Sequence, residues 1–215
     1  MKNKFALSTV ITATVLLSSQ AWSVALTTPG DYALSGTTVA ANPELAGTVL
    51  EDLITDFSFS GAGETITGTI QNRVIRSSVD NTIDFSWRIK TTSGNGDISA
   101  FRLGGFDGFA LDADWRIDGL GDVAPTVARY LSVENGTINF LFTNEVGYPD
   151  ESMFFYLDTD ALHYDMSGGV DMLCADSDCV SPAYQTFAPS SVPVPAAAWL
   201  FGSALLGLVG VSRKR

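Results

Sequence analysis

The sequence predicts an all-β fold, an antiparallel β-sandwich or jelly-roll-like ectodomain followed by one C-terminal transmembrane helix. Three observations lead there. Nearly every segment from Thr48 to Tyr164 alternates apolar and polar residues with period two; glycine-rich breaks separate those segments; and no long stretch between the two chain ends carries the 3.6-residue period of an amphipathic helix.

The clearest strand is TIDFSWRIK, Thr82 to Lys90, in which Ile83, Phe85, Trp87 and Ile89 alternate with Asp84, Ser86, Arg88 and Lys90. Such alternation assigns one face to a core and the other to water. The same reading gives strands at Val49–Phe59, Thr65–Ile75, Ile98–Leu103, Thr126–Val133, Thr137–Thr143 and Met153–Leu157, with a further one over Ala183–Phe187. Glu134-Asn135-Gly136-Thr137 supplies an Asn-Gly turn, because both central positions tolerate positive φ. Breaks at Ser60-Gly61-Ala62-Gly63 and Ser93-Gly94-Asn95-Gly96 punctuate the rest, and residues 41–47 are expected to form one helical turn.

The two ends differ from this middle. Lys2 and Lys4 precede an apolar run from Phe5 to Leu17, and small residues follow at Ala21, Ser23 and Ala25: the pattern of a secretory signal peptide over 1–23, with cleavage near 23–25. The run is shorter than the ~20 residues that a membrane-crossing helix needs. At the other end, VPVPAAAWLFGSALLGLVGVSRKR opens with Pro193 and Pro195, which hold the chain extended, and a helix can begin at Ala196. No ionisable residue occurs from Ala196 to Val211, a span of roughly 24 Å at about 1.5 Å per residue. Arg213, Lys214 and Arg215 stop it on the cytoplasmic side. The resulting division is a signal at 1–23, an ectodomain at 26–184, a linker at 185–191 and a tail at 192–215 with its transmembrane helix at 196–211.

A proline motif, a short apolar helix and a terminal basic cluster, in that order, resemble the PEP-CTERM sorting signals of Gram-negative bacteria. Val192-Pro193-Val194-Pro195-Ala196 resembles the Val-Pro-Leu-Pro-Ala variant of that signal, with Val194 where leucine is usual and without Pro-Glu-Pro. The resemblance implies a substrate of an exosortase-type processing enzyme, passed through the secretion translocon and signal peptidase and held transiently in the inner membrane. It implies release to the cell surface or extracellular matrix, and association with extracellular polysaccharide in biofilm. The matching part is the last 24 residues of 215.

Charge narrows the function classes. All 24 acidic residues lie between Asp31 and Asp178, and five of the 12 basic residues sit in the ends. The ectodomain thus sets seven basic against 24 acidic residues, a net charge of −17, which disfavours nucleic acid as a partner. Cys174 and Cys179, the only cysteines, are expected to form a disulfide in an exported protein; with one histidine, His163, they do not make a structural zinc site.

Candidate chemistry is sparse. The segment FDGFALDADWRIDGLGD holds Asp112, Asp114 and Asp118, oxygen ligands of the type calcium takes, although their spacing is not that of an EF-hand; solvated turn aspartates are the default reading. No other cofactor is suggested. Trp115, flanked by Asp114 and Arg116, is the best candidate for a sugar-stacking side chain, set against the simpler expectation that it belongs to the core. No Gly-x-Ser-x-Gly elbow occurs and no catalytic residue is assigned, yet a carboxylate pair defined only in space could still make a hydrolase. The reading is therefore a non-enzymatic envelope or matrix protein, with a calcium-dependent carbohydrate-binding module and an envelope hydrolase as the alternatives.

Overall fold

In the computed structural model, residues 23–132, 136–175 and 179–191 are described. Their alternating segments form twelve strands: β1 Val24–Ala25, β2 Gly30–Ala33, β3 Thr48–Gly61, β4 Glu64–Arg76, β5 Ile83–Gly94, β6 Asp97–Gly104, β7 Leu111–Trp115, β8 Val127–Ser132, β9 Thr137–Gly147, β10 Phe155–Thr159, β11 Tyr164–Cys174 and β12 Tyr184–Pro189. The helical turn expected at 41–47 is a single 3-10 turn, Pro43–Leu45. No helix among the described residues is long and apolar enough to cross a membrane; residues 1–22 of the expected signal at 1–23 and all of the expected tail at 192–215 lie outside them.

The strands make two six-stranded antiparallel sheets, β1-β7-β10-β5-β4-β3 (sheet A) and β12-β11-β6-β9-β8-β2 (sheet B), the β-sandwich that the sequence predicts. β3, β4 and β5 form a meander, after which the chain changes sheet at every connection except β8–β9 and β11–β12. The alternation of β5 sends Phe85 and Trp87 inward, where Trp87 stacks on Phe155 at 6.2 Å between ring centres. Phe155 also meets Phe140 at 4.8 Å and, edge-on, Phe101 at 5.0 Å, so aromatic rings from β5, β6, β9 and β10 join the sheets at their centre. Cys174 and Cys179 are bonded, with Cα atoms 5.3 Å apart.

Two departures from the sequence reading matter. The strand expected over Ala183–Phe187 is present as β12 and runs on to Pro189, so residues 185–189 are not linker: they pair with β11, and Phe187 and Ala188 are buried. The reason is a polar chain through the core. Trp87 Nε1 donates to Thr186 Oγ1 at 2.8 Å, and that hydroxyl donates to Asn72 Oδ1 at 2.8 Å, so a threonine in a polar-looking segment satisfies a buried indole. At the other end, Val24 and Ala25 pair with Ala113 and Asp112, which extends the domain ahead of residue 26. Between β8 and β9, Ser132 pairs with Thr137; Glu134 and Asn135 of the expected Asn-Gly turn lie outside the described residues, and Gly136 stands at φ 51°. β3 closes one edge of sheet A, and its first half is exposed on both faces.

Candidate functional site

Strand register places three carboxyl groups side by side on the outer face of sheet A. Asp158 of β10 stands opposite Asp112 of β7 on one side and Asp84 of β5 on the other. Alternation alone would leave this face to water, but Asp84 is 0 % exposed and Asp158 only 7 %. The cover comes from residues 34–47. Gly36 N–H donates to Asp114 Oδ1 at 2.8 Å, Thr37 N–H to the Trp115 carbonyl at 2.9 Å and Val39 N–H to Asp118 Oδ2 at 3.0 Å, so the strap is tied along β7 and the loop after it. The 3-10 turn then buries Leu45 and places Glu44 on the cleft that Asp158 also lines.

Among the described residues neither oxygen of Asp84 receives a donor; its partner across the strands is Asp158, whose carboxyl is itself an acceptor unless protonated. Burial pushes the Asp84 carboxyl well above its ordinary range, and the nearby charges of Asp80 and Glu44 add to the rise. Asp158 is raised too, first by burial and then by its contacts with Glu44 and Asp84. A pair of this kind is satisfied by a shared proton. Beside it opens a cleft of about 230 Å³ lined by Glu44, Asp80, Asp112, Asp158 and Asp160 together with Thr82. Asp80 Oδ1 accepts from Thr82 N–H and Oγ1–H, and Asp160 Oδ1 from Ala110 N–H, so two of these carboxylates fix the rim.

The arrangement can hold a proton in a cleft free of basic side chains. It differs from the glycosidase geometry, where two carboxyls flank a bond at roughly 5 Å or more and both reach the substrate. Here the two carboxyls stand opposite each other on adjacent strands and Asp84 is enclosed, closed off from a substrate.

The residues proposed from sequence are placed as follows. Asp112 lines the cleft, Asp114 is buried under Gly36, and Asp118 is exposed with Oδ1 held by Arg116 Nε at 3.1 Å and Oδ2 by Val39. The first two stand on strand β7, not in a flexible loop, and the three do not surround one point; among the described residues no group of three or more acidic, histidine or cysteine side chains is arranged to hold a metal ion. Trp115 is half-buried and packs against the core, and the backbone of Gly36 lies so close to its ring that a Cβ there would stand 2.5 Å from Cζ2. Its ring is therefore a seat for the strap rather than an open platform. His163 is exposed. The sorting motif Val192, Pro193, Val194, Pro195 and Ala196 and the basic stop Arg213, Lys214 and Arg215 lie outside the described residues.

Sequence reasoning set Asp84 on the face given to water and left its pairing with Asp158, and the approach of Glu44, unread. The available signal was the company they keep: Asp84 within the apolar string IDFSW and Asp158 after FFYL, acids inserted in runs that otherwise bury everything. Compared with known protein families, curated proteins and solved structures, the chain has no significant match.

Proposed function

We propose that the chain is an exported, exosortase-sorted component of the cell envelope or extracellular matrix, acting without catalysis and in association with extracellular polysaccharide. One observation carries most of the support. The folded unit starts pairing at Val24, directly after the Ala21-Trp22-Ser23 processing sequence, and its last strand ends at Pro189, three residues before the Val192 motif. Two processing signals thus abut the two ends of one β-sandwich, as a module delivered by removal of both would require. Cleavage after Ser23 leaves β1 whole, whereas cleavage after Ala25 removes it. In this reading Ala196 to Val211 forms the transient inner-membrane helix, with Arg213 to Arg215 inside.

Mass spectrometry of the native mature protein tests both ends together. The expected mature form begins at Val24 and has lost the basic terminus. Replacing Pro193 and Pro195 by alanine leaves the apolar span intact but lets helix run back through the motif. That variant is expected to stay unprocessed in the inner membrane. Should it mature with the wild-type C-terminus, the tail is a plain anchor and the sorting reading falls.

A further inference from the structure

The outer face of sheet B, on the far side of the sandwich from the acidic cleft, carries a polar row across five strands. Register aligns Asp31 of β2, Arg129 of β8, Asn139 of β9, Arg102 of β6 and Asp171 of β11. Arg129 holds Asp31 through Nε at 2.6 Å and Nη2 at 2.8 Å, and Arg102 Nε donates to Asp171. Between the two ion pairs sits Asn139, only 8 % exposed, whose amide oxygen has no hydrogen-bond partner among the described residues. A buried acceptor left without a donor costs roughly 1–3 kcal/mol, so this atom marks a place where a donor belongs.

One position along the strands the side chains stop. Gly104 and Gly169 face each other across β6 and β11, and a Cβ built on either would meet no atom within 4 Å. The result is a groove of about 430 Å³ with a two-glycine floor, Arg102, Asn139 and Asp171 on its polar side, and Leu131, 49 % exposed, on its apolar side.

We propose that this groove binds a neutral saccharide unit of a glycan chain. The two arginines are each matched by an aspartate, so the row offers hydrogen bonds without net charge, and an ectodomain of −17 opposes an anionic ligand. A sugar hydroxyl is donor and acceptor at once: it can donate to Asn139 Oδ1 or Asp171 and accept from the Arg102 guanidinium. The C–H face of the ring needs a flat, close surface, and bare strand backbone at Gly104 and Gly169 beside Leu131 provides one. A few fixed polar groups around an apolar floor, in a volume within roughly 300–1,000 Å³, is the composition of a small-ligand site. The biological meaning of this site rests on the matrix reading above, but its chemistry does not.

The test uses the full chain, purified in a detergent without a sugar headgroup. It is titrated calorimetrically with neutral trisaccharides of glucose, galactose, mannose and N-acetylglucosamine, and with a trisaccharide of a uronic acid. At least one neutral trisaccharide is expected to bind. Gly104→Leu and Gly169→Leu fill the groove from its floor and are each expected to weaken binding by about tenfold or more, with melting temperature unchanged. Asn139→Ala removes the waiting acceptor and is expected to weaken binding also, which keeps the test decisive if one leucine variant folds poorly. No binding to any neutral probe overturns the proposal, as does unchanged affinity in the well-folded groove variants or binding confined to the uronate. Export and processing are read separately, from the terminal masses, so a groove that fails and a sorting signal that fails give different results.

Discussion

Replacing Thr186 by valine preserves shape and deletes one hydroxyl from the centre of the sandwich. That hydroxyl accepts from Trp87 Nε1 and donates to Asn72 Oδ1, each at 2.8 Å, and Thr186, Trp87 and Asn72 are all buried. Valine therefore strands a donor and an acceptor together. With a buried unpaired group costing roughly 1–3 kcal/mol, and allowing some relaxation, the loss is about 2–4 kcal/mol. For a domain of this size, at about 3 °C per kcal/mol, the melting temperature falls by about 6–12 °C. Scanning calorimetry of the full chain measures it, with Thr186→Ser as the partner variant that keeps the hydroxyl and loses only a methyl group, worth about 1 kcal/mol. A fall of less than about 1.5 °C, the range of an ordinary surface substitution, would mean that residues 185–189 behave as the linker their composition suggests and that the Trp87–Thr186–Asn72 chain does not hold β12.

Three further outcomes are expected. Because burial raises the Asp84 and Asp158 carboxyls above their ordinary value of 3.8, the folded state holds protons that the unfolded chain has released; their contribution is full below that value and is lost as pH rises through the raised values. Melting temperature between pH 4 and 9 should accordingly fall more steeply in the wild type than in Asp158→Asn, and parallel curves would show that the pair is not protonated in the fold. Reduction of Cys174–Cys179, which closes a loop with a sequence separation of 5, should destabilise by about 2 kcal/mol, and non-reducing peptide mapping should recover the two linked; free thiols in exported material would refute the pairing. Since Asp114 Oδ1 is engaged by Gly36 and Trp115, and both Asp118 oxygens by Arg116 and Val39, millimolar calcium should leave the melting temperature of the full chain unchanged. A site saturated at 100 times its dissociation constant would instead add about 2.7 kcal/mol and restore the calcium reading.

Much of the sandwich was legible because half-buried strands must alternate. β3 to β6 and β8 to β10 carry that signature plainly, and Trp87 reads correctly as core. β7 and β11 do not. Asp112 and Asp114 in one, and Asp165, Gly168, Gly169 and Asp171 in the other, have the composition of turns, yet antiparallel neighbours on both sides hold them extended. The candidate sites were hidden for a different reason. Alternation says that Asp84 and Trp87 face opposite ways, but whether the second face is wet depends on a strap some forty residues earlier in the chain, and the pairing of Asp84 with Asp158 depends on register between strands far apart in sequence. The groove on sheet B is less visible still, since two glycines mean a floor only once β6 and β11 are known to be neighbours.

The exposed half of β3 sets a limit of another kind. Val49, Leu50, Leu53 and Ile54, the last 62 % exposed, stand on an edge strand whose outward backbone groups have no neighbouring strand among the described residues, interrupted by Glu51, Asp52 and Asp56. Such an edge is a template for another chain, and charge is what keeps chains off it. All three of those acidic side chains are exposed and none belongs to the core. Resistance to unfolding and resistance to association are therefore set by different residues: the core decides how hard one molecule is to open, and three side chains on one edge decide how readily many of them join.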